Sequence, residues 1–264
     1  MKIAHYISSS GVASRREAER LILEGKISLN GRCPVLADRV NEIDIVEYLG
    51  KLVSPTEHAR LWLYYKSRGL IVSHDDELGR ENIFDHVKDK LHKQYAQQKI
   101  QQKTKQNNGQ QHAQQHIQQK VPNHLISVGR LDLDSEGLML ITTSGRLARH
   151  FEDPSNKFKR VYKVRAGGRC NFDAMIRMTS KDFNIDGVWY KSIEIQIEDP
   201  DFYDDPRMNL WYTVTLYEGK NREIRKVFEY FGLQVNRLIR IMYGDYKLLD
   251  LDVGEIFEVL PPKI

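Results

Sequence analysis

The chain is 264 residues long and 41 % apolar, which suffices for one large domain plus a small one. Seventeen glycines and eight prolines are too few for a collagen-like or Pro/Gly-rich disordered chain, and two distant cysteines, Cys33 and Cys170, exclude a disulfide framework and a cysteine-built zinc site. A net charge of +4 does not by itself imply a polyanionic partner, and without a long apolar run or a signal-peptide core at Met1–His5 the expectation is a soluble, cytoplasmic protein with no membrane association.

Residues 2–10 are predicted to form a short helix with Ile3, Tyr6 and Ile7 on one side, ended by Gly11. Ser14-Arg15-Arg16-Glu17 is a capping box opening a second helix, with Ala18, Leu21 and Ile22 inward and Gly25 as its stop. A strand at 26–29, the turn pair Asn30-Gly31 and a return strand should follow. Residues 1–48 thus form a small module whose Arg15, Arg16, Arg20 and Lys26 make a basic platform, and 49–60 reads as a linker. The body, 61–264, opens on a strand at 61–65 and a helix carrying Ile83, Phe84, Val87 and Leu91. Residues 94–120 are dominated by glutamine and should form a disordered or marginally helical insertion, in which His112 and His116 read as incidental.

Beyond the insertion, a buried strand at 138–142, a short helix at 146–151, a strand at 160–166 and a helix at 171–178 are expected. Residues 189–197 alternate, placing Trp189, Ile193, Ile195 and Ile197 on one face of a strand. A strand at 210–217, a helix from near Asn221 to Gly232 and strands at 234–241 and 255–260 complete the chain. Many strands with few, irregularly spaced helices indicate an α+β fold with a largely antiparallel sheet.

The charge is segregated. Residues 156–169 carry six basic side chains and no acid, residues 1–34 and 215–247 are each net +3, and acids gather at 198–205. Such patches suit a surface that tracks phosphates, although each alone is equally a solvated face. The densest polar loop is Gly129-Arg130-Leu131-Asp132-Leu133-Asp134-Ser135-Glu136-Gly137. A calcium loop is excluded because its twelfth position would be Thr143 and a strand follows. A paired-carboxylate glycosidase finds no supporting sugar cleft, and taken alone such a loop is also what a self-satisfied turn looks like.

Gly129-Arg130-Leu131-Asp132, with Gly137 before an apolar strand and Thr142-Thr143-Ser144-Gly145, resembles the catalytic motif of bacterial ribosomal RNA pseudouridine synthases of the RsuA/RluB family. Lys66-Ser67-Arg68-Gly69 is similar to that family's Lys-Pro-x-Gly loop, and Arg160-Val161-Tyr162-Lys163-Val164 to its basic-x-Tyr-x-Val strand. Glu218-Gly219-Lys220-Asn221-Arg222-Glu223-Ile224-Arg225-Lys226 and the stretch from Arg237 to Asp245 continue the likeness, most like the large-subunit branch. Residues 1–48 resemble the αL-type RNA-binding module that precedes this family's catalytic domain. Ser67 for proline, Ser144 for aspartate and the glutamine tract depart from the pattern.

The resemblance implies a pseudouridine synthase fold and isomerisation of a uridine in ribosomal RNA, large-subunit rather than small-subunit, free or within a pre-ribosomal particle. It implies no cofactor, no metal and a monomer. Asp132 would be the essential carboxylate, Arg225 its ionic partner and Tyr162 the ring stacked on the extruded uracil. Arg130 would fill the vacated position or hold the flanking backbone. Lys66, Arg160, Lys163, Arg222 and the platform residues Arg15, Arg16 and Lys26 would contact RNA. A non-catalytic ribosome-assembly factor on the same scaffold is the alternative.

Overall fold

The computed structural model describes residues 1–54, 59–74, 76–107, 120–198, 209–248 and 250–264, without the side chains of 100–107. His112, His116 and the acidic run beyond Glu198 lie outside the described residues.

Helices α1 (Ile3–Ser9) and α2 (Arg15–Leu23) form as the sequence pattern requires. The Ser14 hydroxyl accepts from Glu17 N at 3.1 Å, and Ala18, Leu21 and Ile22 face Ile3 and Ile7 in a separate small core. After β1 (Ile27–Leu29) the return strand is not the next segment: Asn30-Gly31 closes only a single Leu29–Arg32 bridge, and Pro34 offers no donor to extend it. The chain loops out, and the partner of β1 is β2 (Val46–Tyr48). Asn30 closes the excursion by exchanging backbone and side-chain hydrogen bonds with Ile45 at 2.8 Å. The stretch read as a linker contains β3 (Lys51–Leu52), paired to β2, and Val53 is buried in the small core. The module therefore extends past residue 48.

Among the described residues the body forms a nine-stranded mixed sheet. Its main path runs β10 (Glu194–Ile197), β11 (Asn209–Leu216), β7 (Arg160–Gly168), β12 (Leu233–Tyr243), β6 (Glu136–Thr142), β4 (Leu61–Lys66) and β14 (Ile256–Val259). The short strands β5 (Ile126–Ser127) and β13 (Tyr246–Lys247) pair with β6 and β12. Pairing is antiparallel throughout except between β6 and β12.

Helices cover both faces, which is why β6 is buried at every position. Trp62, Tyr64, Met139 and Ile141 face the side covered by α3 (Ile83–Asn107), α5 (Phe172–Thr179) and α6 (Glu223–Tyr230). Leu61, Leu63, Leu138 and Leu140 face α4 (Gly145–Glu152) through Leu147 and Phe151. Among the described residues no helix is long and apolar enough to cross a membrane.

Two further expectations are corrected. The polar tract does not begin at 94: the apolar stripe of α3 continues from Leu91 to Tyr95, which is buried and whose hydroxyl meets Arg60, while Gln94 donates to Ile256 O at 3.0 Å. From Ala96 to Lys99 every residue is exposed, so the helix leaves the body there. The alternation at 189–197 is interrupted, because β9 (Val188–Tyr190) forms its own hairpin with β8 (Phe183–Ile185). The break before β10 resets the parity, leaving Trp189 67 % exposed and Tyr190 buried on Phe183.

At the parallel junction Gly137 has φ +107°, and a Cβ there would stand 2.3 Å from Arg240 O, inside backbone contact. Gly137→Ala is expected to destabilise the fold by roughly 3 kcal/mol or more, from backbone strain plus collision. Urea denaturation would read this as a lower midpoint with an unchanged slope.

Candidate active site

The loop between β5 and β6 is held from beneath by Lys66, the last residue of β4. Its side chain has no exposed surface, and its ammonium donates to Ser67 O at 3.0 Å, Asp132 O at 3.1 Å and Ser135 O at 2.8 Å. Three carbonyl acceptors match the three protons of an ammonium. Gly69 N donates to Leu133 O and Gly129 N to the Glu152 carboxylate, closing the loop at two more points. Burial pulls Lys66 down to about 8, against the nearby carboxylates of Asp132, Asp134 and Glu136.

The loop carries Asp132 and Asp134, each with a side chain 36 % exposed, toward the start of α6. Arg222 sits at the N-terminus of α6 in a left-handed backbone conformation, φ +53°, which is costly for a non-glycine residue. Its guanidinium lies 3.9 Å from the Asp132 carboxylate and 3.5 Å from that of Asp134. Arg225, one residue from the buried Ile224, reaches the Asp134 carboxylate at 3.1 Å and donates to Asp134 O and Val235 O. The ionic partner of Asp132 is therefore Arg222. Arg225 pairs with Asp134, because the Asp134 and Val235 carbonyls fix its guanidinium two residues further along the loop.

Behind Arg222, the buried Glu223 accepts from Lys220 N at 2.9 Å and anchors the 218–223 loop. Burial, reinforced by the neighbouring Glu218 carboxylate, raises Glu223 to about 7. Among the described residues, seven buried side-chain polar atoms lack a hydrogen bond, and four of them cluster here, on Asp134, Ser135, Glu223 and Arg225. Such concentration marks a place where stability has yielded to another demand.

Asp132, Ser135, Arg222 and Glu223 border a cavity of about 740 Å³. Tyr162, 8 % exposed on β7, lines it, and its hydroxyl makes no hydrogen bond among the described residues. Ile224, Leu216 and Leu238 supply apolar wall, and the exposed Arg130 lies at the same cavity. Arg240, which sequence reasoning did not single out, is 2 % exposed and donates to Leu138 O at 2.7 Å while lying over the Tyr243 ring. Its strand parity with the buried Leu238 was the available signal.

The remaining expected RNA contacts separate into three groups. Lys66 is not at the surface, and Arg160, 8 % exposed, donates to the Tyr243 hydroxyl at 2.9 Å, so both build the site from within and do not reach out to phosphates. Lys163 pairs with Glu198 at 2.7 Å, Lys26 with Glu24 at 2.7 Å and Arg15 with Glu19 at 3.5 Å, which mutes their charge. Arg16 and Arg130 are exposed cations with no ion pair among the described residues. No cluster of three or more His, Cys, Asp or Glu with metal-binding geometry occurs among them either.

The depressed Lys66 has a signature. Between about pH 8 and its ordinary value of 10.5 the unfolded chain binds the proton that the folded chain has released. Stability from this group therefore rises with pH across that window. Measured by urea unfolding at several pH values, the stability difference between wild type and Lys66→Met should move in favour of wild type as pH rises through it.

Residues 60–230 match the RNA pseudouridylate synthase family, and residues 1–33 match the S4 domain. An RNA pseudouridine synthase of Rickettsia felis is 40 % identical over 261 residues, covering 98 % of this chain and 96 % of that protein. The ribosomal large subunit pseudouridine synthase B of Haemophilus influenzae is 32 % identical over 254 residues, covering 94 % of this chain and 61 % of its own length. A crystal structure of a pseudouridylate synthase shares the fold, with a TM-score of 0.58 at 18 % identity over 98 % of this chain and 96 % of that one. The fold, the order of the motifs and these relatives agree that the chain belongs to the RNA pseudouridylate synthase family, as an isomerase that forms pseudouridine in RNA.

Proposed function

We propose that this protein converts one uridine of large-subunit ribosomal RNA to pseudouridine, with Asp132 as its catalytic carboxylate. The observation that carries the reading is Asp132 itself: it opens into a cavity bordered by Tyr162 and faces the Arg222 guanidinium at 3.9 Å. A cation at that distance complements the charge of a carboxylate in a site that loses water when RNA docks. The large-subunit assignment draws support from the relative in Haemophilus influenzae.

A uridine within folded RNA must leave its stack to reach this carboxylate, at a cost of a few kcal/mol. Arg130, which lines the same cavity, then occupies the vacated position or holds the flanking phosphates. The Tyr162 ring offers a face for the extruded uracil, worth about 1–3 kcal/mol. Asp132 then assists cleavage of the N1–C1′ bond. The base turns, C5 joins C1′, and the C5 proton is lost as N1 gains one, so atoms balance without a redox partner or group donor.

Arg225 acts at one remove. By holding Asp134 it leaves Arg222 able to serve Asp132. The N-terminal module adds an RNA contact through Arg16 and its neighbours, and the enzyme works as a cytoplasmic monomer on free rRNA or an assembling particle.

Pseudouridine mapping of ribosomal RNA from cells with and without the gene should show one large-subunit uridine losing its modification. A loss confined to small-subunit rRNA would overturn the target. Asp132→Asn should lower turnover on the order of 10³-fold or more while RNA affinity stays near wild type. Normal turnover by that variant would remove Asp132 from the mechanism.

A further inference from the structure

A second wall of the same cavity comes from the 70–84 segment and the residues leading into β5, and it holds three stacked rings. Phe84, buried at the start of α3, lies 3.6 Å centroid to centroid from His74 with the planes 10° apart. His74 in turn stacks on His124 at 5.1 Å and 30°. All three side chains line the cavity that Asp132 and Tyr162 share.

Several observations separate this ladder from ordinary core packing. His74 is exposed, so water reaches its edge, and only Phe84 is fully buried. The ring nitrogen Nε2 of His74 lies 2.9 Å from Leu125 O and donates to it, which pins the imidazole plane against rotation. Burial, with His74 as neighbour, pulls His124 down to about 4, so it presents an uncharged flat ring at neutral pH. An uncharged imidazole is a poor phosphate ligand and a good stacking partner for a π-face. A pinned, preorganised ring also loses little entropy when a base is added to the stack.

We propose that the Phe84–His74–His124 stack is a docking platform for an unpaired nucleobase flanking the target uridine. It deepens the reading of this cavity as the RNA-modifying site and rests on it. Opening the helix around one uridine unpairs its neighbourhood, and a neighbour that gains a stacking partner offsets part of the lost base stacking. Because every base has a π-face, the platform tolerates sequence and contributes affinity and register more than readout.

The test uses the full chain and a fluorescently labelled short single-stranded RNA of mixed sequence, read by anisotropy. His124→Ala should weaken binding roughly 5- to 150-fold, the range that loss of one base–ring stack produces. His124→Phe should restore affinity to near wild type, since it keeps a flat ring and discards the ring nitrogens. Thermal melting confirms that each variant is folded, and His74→Phe provides a second ring-retaining variant if His124→Ala is not. Unchanged affinity on ring removal, or equal loss in the Ala and Phe variants, would overturn the platform. Turnover on a large-subunit rRNA transcript is measured alongside. A wild-type enzyme inactive on that transcript would refute the target assignment while the binding result still decides the platform.

Discussion

Placing a lysine ammonium where no water reaches it is costly, and the cost is tolerated only where full hydrogen bonding returns most of it. Lys66 meets that condition by collecting three backbone carbonyls, two of them from the loop that carries Asp132. The buried charge at the end of β4 is thus the innermost of the anchors that shape the loop, with Glu152 and Arg225 holding it from outside. The glycine at 137 completes the arrangement by letting β6 run against the backbone of β12 immediately after the loop.

Above that base the site is organised as a competition between two acids and two guanidiniums. Arg225 is held by two backbone carbonyls and so cannot follow Asp132; it settles on Asp134. Arg222, half exposed on a strained backbone, spans both acids. The result leaves Asp132 near a cation without locking it into a short ion pair. A tight bidentate pair would fix that carboxylate, whereas a single contact at 3.9 Å leaves it free to turn.

Much of the fold could be read from local pattern. The capping box at Ser14, the glycine stop at Gly25, the apolar stripe of α6 and the buried run of β6 depend on neighbours within a turn or a strand, and they stand where periodicity put them. The misreadings have two causes. The partner of β1, the parity of Trp189 and the true end of the apolar stripe at Tyr95 are all decided by contacts with residues far along the chain, or by a break in a strand that alternation does not announce.

The chain's own order of residues determined the family and the α+β class, because motifs and capping signals are written in consecutive positions. Only the tertiary structure decided which cation serves which acid, and which basic side chains face inward. Charge alone does not distinguish a lysine that meets solvent from one that props a loop. That difference arises when strands from opposite ends of the chain surround Lys66 and Arg160 and remove their water, leaving carbonyls and a tyrosine hydroxyl as their partners.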